Sequence, residues 1–189
     1  MKKEFICSFI LNFSLFIFIS QADSDNSLMN QAIQMSLKGK AQEARKIFKK
    51  IIQNQPNNIF ALNNLAKLYI DQGDLEQAIP HLKKAIKIRP TFFMAHNNLA
   101  EAYRQLRQFE KAENILIKTL QLFPDFESAH ITLGSLYLDQ ERYKKAIVSL
   151  KKAFQIAPQL KRIHLLLAKA YKGEGMDKEA AYEYELFKK

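Results

Sequence analysis

Tryptophan is absent from this chain, and cysteine occurs once, at Cys7. Glycine and proline are also sparse, five of each in 189 residues. A fold of many short strands needs a turn residue every few positions, so this scarcity excludes a loop-rich all-β architecture. One cysteine excludes a disulfide framework and a Cys-based zinc site. The sequence also lacks an HExxH pair, a nucleophile elbow, a phosphate-cradling Gly-rich loop and a paired-carboxylate arrangement. Nothing assembles a nucleophile, a base and an oxyanion donor, so the chain is expected to be no enzyme, with no cofactor, metal or small-molecule substrate. What is abundant is Leu, Ala, Lys, Gln and Glu, all strong helix formers, which implies an all-α class.

Residues 1–22 differ from the rest. Met1-Lys2-Lys3 is a basic start, Phe5 to Ser20 is largely apolar, and Ser20-Gln21-Ala22 has the small-x-small form of a cleavage site. This reads as a signal peptide, making the protein exported, and periplasmic if bacterial. An uncleaved membrane anchor is the alternative, although 16 helical residues reach about 24 Å against roughly 30 Å of hydrocarbon and Asn12 interrupts the run. Cleavage after Ala22 would leave a mature chain without cysteine.

The remainder repeats. Pro56, Pro90, Pro124 and Pro158 are 34 residues apart, and Tyr69, Tyr103, Tyr137 and Tyr171 keep the same interval. So do Ala44, Ala78, Ala112, Ala146 and Ala180. With proline at position 32, five units start at Asp25, Ile59, Phe93, Glu127 and Lys161, giving 25–58, 59–92, 93–126, 127–160 and a truncated 161–189. Small Ala32, Ala66, Ala100, Gly134 and Ala168 at position 8, with the alanines at position 20, let two antiparallel helices approach closely. Large residues at positions 7, 11, 24 and 27 form a stripe that one helix pair cannot bury, so the pairs must stack. Position 15 is Gly39, Gly73 and Gly175, where a left-handed residue ends the first helix, and is Arg107 and Glu141 in the other two units. Asp74 with Gln77 reads as a capping pair, and Pro80 predicts a local bend.

The segments LNNLAKLYIDQGDLEQAIPHLKKAIKIRP (62–90) and HNNLAEAYRQLRQFEKAENILIKTLQLFP (96–124) resemble the tetratricopeptide-repeat (TPR) family. That resemblance implies a right-handed superhelical α-solenoid of antiparallel helix pairs, with first helices on a concave groove and second helices on the convex side. It also implies a protein-binding scaffold. Some members hold chaperone tails with a carboxylate clamp, but the required Lys and Asn positions are not matched here.

The formal charge is +10, and its excess lies in positions 15 to 31, the second helices. Lys49-Lys50, Lys83-Lys84 and Lys151-Lys152 read as a solvated outer face, with contact to anionic lipid or cell-envelope polymer as the alternative function. Nucleic acid is disfavoured, because no aromatic residues are interleaved with these lysines in a recognition motif. His96, His130 and His164 share position 4, but equivalent residues on successive units stand about 8–10 Å apart, too far to share a metal ion. They read as packing residues.

Positions 2, 5, 6, 9, 12 and 13 of the first helices form the groove in this family. They supply the candidate partner-binding residues Phe60, Asn63, Asn64 and Lys67 in the second unit and Met94, Asn97, Asn98, Glu101 and Arg104 in the third. An Asn amide offers both donor and acceptor to a peptide backbone, and Phe60 and Met94 offer apolar contact. The expected role is an adaptor holding an extended segment or helix of a partner, in envelope or pilus assembly. Tyr184 and Phe187 leave an apolar carboxy-terminal end suited to self-association.

Overall fold

Close approach at small residues and termination at proline dictate the architecture. The computed structural model describes residues 27–188, and the leader reading of residues 1–22 lies outside them. Among the described residues every regular element is helical. They are α1 (27–37), α2 (Ala41–Asn54), α3 (Ile59–Gln72), α4 (Leu75–Ile88), α5 (Phe93–Gln105), α6 (Phe109–Leu122), α7 (Glu127–Asp139), α8 (Tyr143–Ile156), α9 (Lys161–Gly173) and α10 (Asp177–Lys188). This is the all-α solenoid that the periodicity implies. No described helix is long and apolar enough to cross a membrane.

Ala32, Ala66 and Ala100 at position 8, and Ala44, Ala78, Ala112 and Ala146 at position 20, are all 0 % exposed, so the paired helices meet where side chains are smallest. Into the space beside them go Phe48, Leu82, Leu116 and Leu150, each contributing about 1.5–3 kcal/mol of apolar burial. First helices touch first helices, as α3 with α5, α5 with α7 and α7 with α9, while no two of α4, α6, α8 and α10 touch. Layers tight on one side and splayed on the other curve the stack, placing the first helices on the inner face.

The turn within each pair is the same five times. The amide at position 16 donates to the carbonyl at position 11 in Lys40→Met35 (2.9 Å), Asp74→Tyr69 (2.9 Å), Gln108→Tyr103 (2.8 Å), Arg142→Tyr137 (2.8 Å) and Met176→Tyr171 (2.8 Å). That closure requires a left-handed residue at position 15. Gly39, Gly73 and Gly175 supply φ of 73°, 81° and 80°, and Arg107 and Glu141 are forced to 57° and 56°. One local expectation changes. Asp74 caps α4 without a side-chain hydrogen bond, because its carboxylate turns 3.6 Å from Arg45 instead. The helix also continues through Pro80, an exposed residue whose ring meets solvent where the first helices are absent.

Gly134 marks the tightest approach. A Cβ there would stand 2.6 Å from Leu150 Cγ and 2.7 Å from its Cδ2. Gly134→Ala is therefore expected to lower stability by about 1 kcal/mol, overpacking exceeding the gain in helix propensity. A gain of similar size in urea denaturation would show instead that Leu150 rotates away. Glu141→Gly should raise stability by about 0.5 kcal/mol, relief of left-handed strain outweighing the added chain entropy, and thermal melting by circular dichroism checks it.

Candidate functional site

Most polar groups on the inner face already bond to one another. Asn63 is 7 % exposed, and its Oδ1 accepts from Asn98 Nδ2 at 2.8 Å, a bond that ties α3 to α5. Asn98 thereby spends one of its two donors. Lys67 pairs with Asp71 one turn on. Arg104 donates to both carboxylate oxygens of Glu101, at 2.9 and 2.7 Å, and to Asp139 of α7. Gln105 adds a further bond to Glu101 at 2.7 Å. Lys67, Glu101 and Arg104 thus join neighbouring turns or helices, and the groove floor is internally neutralised.

Burial opposes ionisation of Glu101, but hydrogen bonds and charge from Arg104, with help from Gln105 and Arg162, outweigh it and hold its carboxyl below the ordinary 4.5. The same network raises the pKa of Arg104 against the effect of burial. On the outer side Glu113, Arg142 and Tyr137 form a second network, with Tyr137 Oη donating to Glu113 at 2.8 Å. Burial and that bond push the Tyr137 hydroxyl up to about 12.

What remains open is a cleft of about 740 Å³ between α5, the start of α7 and the linker joining α6 to α7. Asn63, Met94, Asn97 and Asn98 reach it from the inner face. Its wall is aromatic: Phe93 lies 4.8 Å from both Phe123 and Phe126, tilted against one and edge-on to the other. Leu122 extends the rim at 68 % exposure. Asn97 Oδ1 is buried and has no hydrogen-bond partner, an uncommon condition in a folded protein. Asn97 and Ser128 also line a polar hollow of about 260 Å³ containing Lys67, Asp71, Glu101 and Arg162, so cleft and hollow adjoin.

The nine sequence candidates therefore separate. Asn63, Met94, Asn97 and Asn98 share the cleft, and Lys67 and Glu101 the polar hollow. Arg104 stands behind the hollow as the partner of Glu101. Phe60 and Asn64 line neither space; Phe60 packs edge-on against Phe92 at 5.4 Å with Arg89 above it. Sequence reasoning missed Phe93, Leu122, Phe123 and Phe126, which fall outside the six groove positions. Aromatics on both sides of Pro124 were the available signal.

The histidines are not plain packing residues. Nε2 of His96 donates to the Pro90 carbonyl and Nε2 of His130 to the Pro124 carbonyl, each at 2.8 Å, fastening a first helix to the linker before it. His164 instead bonds Glu183 of α10 at 2.6 Å. Among the described residues no three His, Cys, Asp or Glu side chains converge on a possible metal position.

Tetratricopeptide-repeat family models match residues 23–91, 69–136 and 134–175. A MamA crystal structure is 27 % identical, covers 86 % of this chain and 89 % of its own, and superposes with a TM-score of 0.64. A thermophilic TPR protein of Thermus thermophilus is 24 % identical over 85 % of this chain and 88 % of its own, with a TM-score of 0.79. PilF of Pseudomonas aeruginosa is 18 % identical over 87 % and 75 %, with a TM-score of 0.75. The last two show the shared fold alone. Comparison with curated proteins returns no match.

The half-buried, paired carboxylates carry a pH signature. Because Glu101 titrates below its ordinary 4.5 in the fold, its stabilisation is complete above that pH and is lost as pH falls through the lowered value. Glu113 is lowered too, Arg142 and Tyr137 overcoming the effect of burial, and acts in the same direction. Melting temperature is expected to fall below about pH 4.5, and Glu101→Gln to lower it at neutral pH while flattening this acid limb. An unchanged acid limb in the variant would remove Glu101 as its source.

Proposed function

Because this chain belongs to the tetratricopeptide-repeat family, we propose that it is a non-enzymatic scaffold holding a partner polypeptide in the cleft between α5 and α7. Members of the family bind protein partners, and the cleft favours an extended segment with one large apolar side chain. The observation that carries this reading is one open cleft in which the aromatic wall of Phe93, Phe123 and Phe126 meets the amides of Asn63, Asn97 and Asn98. The Nδ2 hydrogen that Asn98 does not give to Asn63 can donate to a backbone carbonyl of the segment while an apolar side chain enters among Phe93, Phe123 and Met94. The paired charges of Lys67, Glu101 and Arg104 give the segment little net attraction, so apolar contact and backbone bonding select it.

The setting is exported, in envelope or pilus assembly, and this part of the proposal rests on the leader-like residues 1–22. A second reading, contact with anionic lipid or peptidoglycan through the second helices, draws on exposed Lys50, Lys83, Lys84 and Lys87, which have no carboxylate partner among the described residues. It is the weaker reading because much of the remaining outer charge is already engaged. Arg45 and Lys49 lie over Tyr69, Lys111 over Tyr103, Arg142 and Lys145 over Tyr137, and Lys151 over Tyr171. Salt-sensitive binding to anionic vesicles would favour it.

Selection from a random displayed-peptide library provides the test. Enriched peptides should share a large apolar residue and lose about ten-fold in affinity for Met94→Asp and Asn98→Ala. Phe60→Ala with Asn64→Ala, outside the cleft, should change little. Equal binding to folded Met94→Asp would overturn the cleft assignment.

A further inference from the structure

The last helix pair presents a face that the other pairs have covered. Phe48, Leu82, Leu116 and Leu150 at position 24 are 0–1 % exposed, whereas Tyr184 at the same position is 45 % exposed. Beside it Leu165, Ala168, Ala181, Lys169, Lys172 and Asp177 line a largely apolar hollow of about 400 Å³ between α9 and α10, Asp177 standing beyond ion-pair distance of both lysines.

Inside the stack, the occupant of this space is visible. The third pair, α5 and α6, is covered by α7, whose Ala129, Leu133 and Leu136 at positions 3, 7 and 10 are at most 7 % exposed. Charge follows the same register: Arg104 at position 12 of α5 pairs with Asp139 at position 13 of α7. Lys172 is position 12 of α9, and neither it nor Lys169 has a carboxylate partner among the described residues.

We propose that this end face docks one amphipathic α-helix of another polypeptide, carrying small residues or leucine at i, i+4 and i+7 and a carboxylate at i+10 opposite Lys172. The spacing places all four on one side of a helix. A second copy stacked head to tail does not fit. Its α1 would present Ser27, Gln31, Gln34 and Leu37 at those positions, burying polar groups without partners and offering no carboxylate to Lys172. The face shares no lining residue with the cleft between α5 and α7, so this proposal stands apart from the groove reading.

The probe is a labelled, lactam-stabilised helical peptide with the sequence of α7, Glu127–Asp139, titrated by fluorescence anisotropy against the protein. Saturable binding is expected, weakened about five- to ten-fold by Lys172→Glu and unaffected by Met94→Asp. A peptide carrying Asp139→Lys should bind wild type more weakly and recover affinity for Lys172→Glu. Circular dichroism verifies that both protein variants are folded. Equal affinity of wild type and Lys172→Glu for the α7 peptide would overturn the proposal, as would loss of binding in Met94→Asp. So would light scattering that shows a dimer made monomeric by Tyr184→Asp, which would assign the face to a second copy.

Discussion

The complete burial of small residues at positions 8 and 20 between the helices of a pair is the constraint on which the other features depend. Where Ala66 and Ala78, and Ala100 and Ala112, are wholly buried, the helix axes come near enough for Leu82 and Leu116 to be enclosed completely. A larger side chain at either place would part the helices and open the space the leucine fills, exchanging dispersion contacts for a void. Gly134 carries this furthest, with Leu150 resting where its Cβ would be. Because the approach is a property of each pair, the same geometry recurs with the sequence period, and the curvature that makes a groove follows from repetition alone.

That dependence explains which features are legible in the sequence. Anything fixed within one unit can be read from its register: the left-handed turn at Arg107 and Glu141 follows from Gly39, Gly73 and Gly175 in the same place. Features that join units cannot. Asn63 and Asn98 read as two independent amides, but one bonds the other across 35 residues of sequence. His96 and His130 read as packing residues because the carbonyl each reaches belongs to the linker before its unit. The aromatic wall is hidden for a different reason: Phe93 opens its unit and Phe123 and Phe126 close it, so the two ends meet only after folding.

The paired charges also redefine the inner face. A row containing Lys67, Glu101 and Arg104 suggests a charged groove that selects its ligand electrostatically. In the folded chain Arg104 instead bridges α5 and α7 through Glu101 and Asp139, exchanging recognition for rigidity. The cost is borne by desolvation of partly buried ions, which their mutual hydrogen bonds offset. A groove held this way is preorganised, so a bound segment need not order it, and selectivity passes to the neighbouring apolar cleft.

The two ends of the array differ in the same physical terms. A stacked unit covers its neighbour with a small, apolar face, and α1 has replaced that face with Ser27, Gln31 and Gln34, groups that water satisfies. At the other end α9 and α10 retain the interior pattern, with Leu165, Ala168 and Tyr184 placed as their equivalents are inside the stack. A second copy continuing the stack would set the polar face of its α1 against the apolar face of α9 and α10, burying polar groups that water otherwise satisfies. Among the described residues the stack is therefore directional, with a polar face at α1 and a largely apolar face beside Lys172 at α9 and α10.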